Sequence, residues 1–106
     1  MVSFKEFQGL DLRVGKVLAA ESISGADKLY RLTVDIGEKH ITLVAGLRPY
    51  YTPEEMKGKK IIVVANLDPV TLKGVRSEGM LLAAQDGSVV SVLTPDRDVK
   101  PGSKIS

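Results

Sequence analysis

The chain has 106 residues, of which 43% are hydrophobic and 26% charged, with a formal net charge of +2 and no cysteine. That length holds one domain with one modest core, and the composition excludes a disordered chain, a disulfide framework and a thiolate metal site. No stretch reaches the length of a membrane span and the N-terminus lacks the apolar region of a secretory signal, so a reducing, cytoplasmic setting is expected.

Phe4 and Phe7 bracket Lys5 and Glu6. This fits either one helical turn or a strap laying two aromatics on the core. Leu10, Leu12 and Val14 alternate with Asp11 and Arg13, the period-two pattern of a strand. After Gly15 the apolar phase moves to Val17 and Ala19, which predicts a β-bulge at the glycine, with Arg13 and Lys16 projecting outward beside the bend. Residues 21–28 read as a polar loop. Residues 29–36 then read as a strand, with Tyr30, Leu32, Val34 and Ile36 on one face and Arg31, Thr33 and Asp35 on the other. A short glycine-bearing turn at 37–39 leads to a third strand over 40–47, a hairpin signal.

The one helical signal follows. Thr52 is a good N-cap, Pro53 suits the first helical position, Glu55 completes a capping box and Gly58 ends the helix. Lys57, Lys59 and Lys60 beside this end are explained by the helix dipole. Two apolar runs, 61–65 and 81–84, flank a connector carrying Pro69, Lys73, Gly74 and Arg76. The runs read as strands buried on both faces, although periodicity leaves a buried helix open. Asp86-Gly87 marks a tight turn before residues 89–93, and the tail from Thr94 is irregular with extended pieces near Val99 and Ile105.

The order is therefore strand, strand, strand, short helix, strand, strand and a C-terminal extension. This predicts an all-β fold, a five-stranded OB-fold barrel with one short helix between strands 3 and 4, in a single domain spanning 1–106. Such barrels use one sheet face and its loops to bind oligonucleotides or oligosaccharides.

Nothing in the chain points to catalysis. The single histidine, His40, has no nucleophile placed with it, the carboxylates show no paired acid–base spacing, and no metal-ligand cluster or phosphate loop is visible. No cofactor or metal is expected. The candidate binding cations are Arg13, Lys16, Lys28, Arg31, Lys73 and Arg76. Random scatter over a soluble surface is the competing reading. Only five aromatics exist, and Tyr30, Tyr50 and Tyr51 are better placed for packing than for stacking bases. An RNA ligand would then be held through phosphates and shape, whereas sugar binding lacks its aromatic platforms.

Seven segments carry a resemblance: Asp11-Leu12-Arg13-Val14-Gly15-Lys16-Val17, Ala26-Asp27-Lys28-Leu29-Tyr30, Val44-Ala45-Gly46-Leu47, Tyr51-Thr52-Pro53-Glu54-Glu55, Gly58-Lys59-Lys60, Val64-Ala65-Asn66-Leu67, and Ser77-Glu78-Gly79-Met80-Leu81-Leu82-Ala83-Ala84. In this order, from about residue 7 to 105, they resemble the tRNA-binding domain at the C-terminus of many methionyl-tRNA synthetases. Endothelial monocyte-activating polypeptide and free-standing bacterial tRNA-binding dimers have similar domains. The resemblance implies a non-catalytic OB-fold that binds tRNA by shape, as a synthetase C-terminal domain or β subunit. It places Lys28, Asn66, Arg76, Ser77 and Met80 on or near the RNA, followed by Lys73, Arg13 and Lys16. It also implies a homodimer, with residues 87–106 taking part, and a methionyl-tRNA synthetase catalytic chain as partner. Core packing for Met80, a turn role for Asn66 and a backbone bond for Ser77 are the competing readings. Where many relatives have a histidine-proline pair, this chain has Ile23-Ser24-Gly25. The export-related chaperone of bacteria shares the fold and ranks second, as a binder of unfolded polypeptide. The start methionine and compact length favour a stand-alone polypeptide.

Overall fold

A computed structural model describes all 106 residues. Two short helices, α1 (Phe4–Gln8) and α2 (Pro53–Met56), accompany nine strands. These are β1 (Leu12–Ile23), β2 (Ala26–Asp35), β3 (His40–Ala45), β4 (Lys60–Val64), β5 (Val70–Leu72), β6 (Val75–Ser77), β7 (Met80–Leu81), β8 (Ala83–Asp86) and β9 (Val89–Val92). Local chemistry sets both helices. Ser3 with Glu6, and Thr52 with Glu55, form reciprocal capping boxes, and Pro53 opens α2. The helical-turn reading of the N-terminus therefore holds over Phe4–Gln8, and Phe4 and Phe7 stay exposed instead of being laid on the core.

The main sheet runs β3-β2-β1-β4-β7, every pair antiparallel, while β5–β6 and β8–β9 form separate two-stranded hairpins. No ladder joins β3 to β7, so the sheet is not closed into a barrel. The free edge of β3 is occupied differently. The Val44 N–H donates to Ser77 Oγ at 3.0 Å and the Thr42 N–H donates to Glu78 Oε1 at 3.1 Å, while the Glu78 N–H donates to the Thr42 carbonyl at 2.8 Å. Side chains take the donors that a closing strand would have used.

The principal core gathers Val17, Leu32, Val34, Leu43, Ile61 and Val63 with Met56 of α2. A smaller cluster of Ile23, Ala26 and Val75 lies where β6 packs on β2 and β3, with Leu29 and Val44 against it.

Several expectations need correction. The β1–β2 ladder shifts register between Val17 and Ala19 and again between Ser22 and Ile23, not at Gly15. Gly15 is instead the point of closest packing: a Cβ there would stand 2.5 Å from Val34 Cγ1 and 3.1 Å from Val63 Cγ2. The phase change arises because Leu12 and Val14 face the outer side, while Gly15 and Val17 face the core. Arg13 and Lys16, three apart on this regular stretch, therefore emerge on opposite faces of β1.

The expected loop at 21–28 is almost all strand, since β1 and β2 pair to Ile23 and Ala26 and leave a two-residue turn. The connector after β4 folds into its own hairpin, β5–β6. The run at 81–84 splits between β7 and β8, and Ala83 and Ala84 are exposed. The tail also pairs: the Gly102 N–H donates to the Val14 carbonyl at 2.7 Å, the Val14 N–H to the Ser103 carbonyl at 2.9 Å, and the Ile105 N–H to the Leu12 carbonyl at 2.9 Å. Residues 102–105 thus run antiparallel to β1 along the edge that β2 leaves free.

Candidate nucleic-acid interface

The cations fall into two groups. At one end, Arg13 Nε donates to Asp11 Oδ1 at 2.6 Å, and its Nη1 reaches the Gly102 carbonyl at 3.4 Å. The neighbouring carboxylate, by hydrogen bond first and by charge second, holds the guanidinium pKa above its ordinary value. Lys16 stands directly opposite Lys60 on the β1–β4 ladder, a like-charge pair that needs an anion. Asp98 supplies it. Lys60 Nζ lies 2.5 Å from Asp98 Oδ1 and donates also to the Val99 carbonyl. The Asp98 carboxyl is accordingly held below its ordinary range, first by the Lys60 hydrogen bond, then by the Lys60 charge, with a smaller contribution from Lys16. These groups clasp the tail.

Of the lysines after α2, Lys57 is the helix's C-cap, while the other two have specific partners. Lys60 holds the tail, and Lys59 Nζ sits 5.7 Å from the centre of the Tyr51 ring, a cation–π distance.

At the other end lies a cleft of about 300 Å³ between the β1–β2 turn and the β5–β6 hairpin, lined by Glu21, Ser22, Ile23, Ser24, Arg31, Lys73 and Val75. Val75 in the small cluster anchors the hairpin over the sheet. Lys73 occupies the hairpin turn with φ +49°, the only non-glycine residue with positive φ, and Gly74 follows at +79°. Turns of this kind favour Asn-Gly, and a lysine in the left-handed region is strained. Lys73 stands at the rim of the cleft. Lys28, Arg31, Lys73 and Arg76 are all exposed and none takes part in an ion pair.

Of the residues singled out from sequence, Lys73 lines the cleft together with Arg31. Lys28 and Arg76 are exposed on the framing strands but do not line it; Arg76 alternates with inward Val75 and Ser77 and so faces away from the sheet. Met80 is 49% exposed, hence not core. Ser77 is 3% exposed, and its hydroxyl accepts from Val44 and donates to the Gly79 carbonyl. It lies inside the fold rather than on an RNA surface. Asn66 holds the strap after α1: its Oδ1 accepts from the Asp11 N–H at 2.8 Å and its Nδ2 donates to the Gly9 carbonyl at 2.7 Å. Arg13, Lys16 and Asn66 belong to the tail-and-strap end. Arg48, unremarked in the sequence, donates from Nη1 to the Ala26 carbonyl at 3.3 Å and adds an exposed cation near Lys28. No motif announces it.

No group of three His, Cys, Asp or Glu residues is placed to hold a metal, and no helix is long and apolar enough to cross a membrane. The arrangement is that of a small β-rich domain in which Arg31 and Lys73, outside any ion pair, line the cleft between two neighbouring hairpins, with Lys28, Arg48 and Arg76 exposed on the adjoining segments. Comparison with known proteins agrees. The family described as "Putative tRNA binding domain" matches residues 12–104, and the chain belongs to that family. It is 54% identical over 104 residues to the methionine–tRNA ligase of Pyrococcus horikoshii and 52% identical over 107 residues to that of Methanosarcina mazei. These matches cover 98% and 99% of the chain but only 14% and 15% of the ligases.

Two solved structures overlay it along its whole length. One is a MetRS related protein from Pyrococcus horikoshii, with TM-score 0.94, 36% identity and 98% of that chain covered. The other is the chaperone CsaA from Bacillus anthracis, with TM-score 0.91, 33% identity and 99% covered.

Proposed function

We propose that the chain is a non-catalytic tRNA-binding module acting in the cytoplasm. It raises the tRNA affinity of a methionyl-tRNA synthetase, as that enzyme's C-terminal domain or its separate β subunit. The observation that carries this reading is the cleft where Arg31 and Lys73, both free of ion pairs, face a shared space in a chain of the tRNA-binding family. Cations of this kind neutralise phosphates and release counterions, so affinity falls steeply with salt. A module tethered or bound to the catalytic chain raises the local tRNA concentration there. Lys28 and Arg76 extend the contact outside the cleft, and Met80, exposed beside Val64, offers an apolar contact farther along the sheet.

The fold is best read as an OB barrel whose fifth side is completed by the Ser77 and Glu78 contacts with β3 instead of a ladder. A homodimer is the expected assembly. Phe4 is 73% exposed and Phe7 41%, and with Leu10, Leu12 and Ile105 they line a cavity of about 280 Å³ between α1 and the tail. A second copy that covered this face would place two basic ends on one folded RNA. Sedimentation at micromolar concentration should return a dimer, and a monomer would overturn that part.

The likeness to CsaA favours a second reading, a module binding unfolded polypeptide. Titration with total tRNA and with an unfolded protein, each at low and high salt, separates the two. The tRNA reading predicts tight, salt-sensitive binding of tRNA for many species alike. Binding of the unfolded protein alone would reject it.

A further inference from the structure

The cleft contains one residue that a surface built only to grip phosphates would not need. Glu21 stands directly opposite Arg31 on the β1–β2 ladder, and both line the cleft. Despite that position the two do not form an ion pair, and the Glu21 carboxylate is paired with no other cation. A carboxylate offers acceptors only. The phosphodiester offers acceptors only as well, so Glu21 repels the group that Arg31 and Lys73 attract.

The conflict disappears if the ligand brings a donor to Glu21. In a nucleic-acid backbone that donor is the ribose 2′-hydroxyl, which both donates and accepts and by which proteins tell RNA from DNA. Ser22 and Ser24 on the same wall carry hydroxyls that accept or donate equally well, so they do not discriminate. The space, about 300 Å³, suits one nucleotide rather than a stack of bases.

Resting on the tRNA-binding reading, the geometry points to Glu21 as a residue that selects ribose. Arg31 and Lys73 hold the phosphates flanking one nucleotide, and Glu21 accepts from its 2′-hydroxyl. A backbone without that hydroxyl leaves the carboxylate facing phosphates with nothing to accept. Arg31 and Lys73 supply attraction to any polyanion, and Glu21 supplies the preference for RNA.

The test compares an unmodified tRNA transcript with the same transcript made wholly from 2′-fluoro nucleotides, which keep the ribose-like pucker and lose the donor. Binding is measured for the wild-type chain, Glu21→Ala and Arg31→Ala. The wild type should bind the fluorinated RNA about tenfold more weakly, the size of one charge-assisted hydrogen bond. Glu21→Ala should bring that ratio near unity. Arg31→Ala should weaken both RNAs alike and keep the ratio. Glu21 is exposed, so unchanged thermal melting is expected for its variant. Equal wild-type binding of the two RNAs, or an undiminished preference in Glu21→Ala, would overturn the assignment while leaving tRNA binding intact. Failure of the unmodified tRNA to bind at low salt would instead remove the reading beneath it.

Discussion

The two ends of this domain hold cations in different settings, although Lys16, Lys100 and Lys104 at the tail end are also outside any ion pair. At the tail end Arg13 and Lys60 are engaged by Asp11, by Asp98 and by backbone carbonyls, and they hold residues 98–105 against β1 and β4. At the hairpin end Lys28, Arg31, Lys73 and Arg76 are exposed and unpaired, and Lys73 occupies a strained turn. A cation with an anion already in hand must lose that partner before it can take a phosphate, whereas an unpaired one exchanges only water and counterions. The difference teaches that position in a basic sequence says little. What each charge already touches decides whether it is available.

The strongest way to break this comparison is to remove the two cleft cations together. Arg31→Ala with Lys73→Ala should cut tRNA affinity about a hundredfold. The log–log salt slope should become shallower by about two, with unchanged melting. Arg13→Ala, at the other end, should leave affinity within about twofold of wild type, because that charge serves the tail. Equal losses in the two variants would erase the distinction.

Ser77→Ala sharpens the comparison from the side of stability. It leaves the Val44 N–H without its partner in a partly buried setting, which should cost about 1–2 kcal/mol in urea unfolding while the folded protein binds tRNA normally.

Lys73→Asn should act in opposite directions on the two properties. Asparagine relaxes the left-handed turn and should stabilise the chain by up to about 1 kcal/mol, while loss of the cation weakens tRNA binding roughly fivefold.

The smallest effect concerns acid. The folded-state carboxyl of Asp98 titrates below its ordinary value, so its contribution is fully present above the unfolded value and is lost as pH falls through the depressed one. Hydrogen exchange at Gly102 and Ile105 should therefore show a tail clasp that is indifferent to pH from neutral to mildly acidic. It should loosen only below the usual carboxylate range.

What could be read from the sequence was whatever local chemistry decides. The Thr52–Glu55 box, Pro53 and the alternation of Tyr30, Leu32 and Val34 involve near neighbours, and the helix and inner face appear where expected. The misplaced features depend on distant partners. Ser77 meets Val44 33 residues away, Lys60 meets Asp98 38 residues away, and Asn66 reaches back 57 residues to Gly9. No spacing rule reports such pairs. The β5–β6 hairpin was hidden because its turn is Lys73-Gly74 rather than the usual Asn-Gly. The polar residues around Ser24 read as a loop, although Glu21 and Ser22 pair across to Arg31 and Tyr30, and Ile23 pairs with Ala26 to close the turn. Of the residues named from the sequence, Lys73 lines the cleft, whereas Arg13, Asn66 and Ser77 make long-range or local contacts that hold the fold.

The central claim is that tRNA rests on the hairpin end. Backbone amide shifts of isotope-labelled chain, recorded while tRNA is added at low salt, test it most directly. The account predicts the largest changes at residues 21–31 and 70–77 and little change at 11–16 and 98–105. Changes concentrated on the tail-clasped end, with the cleft residues still, would contradict it.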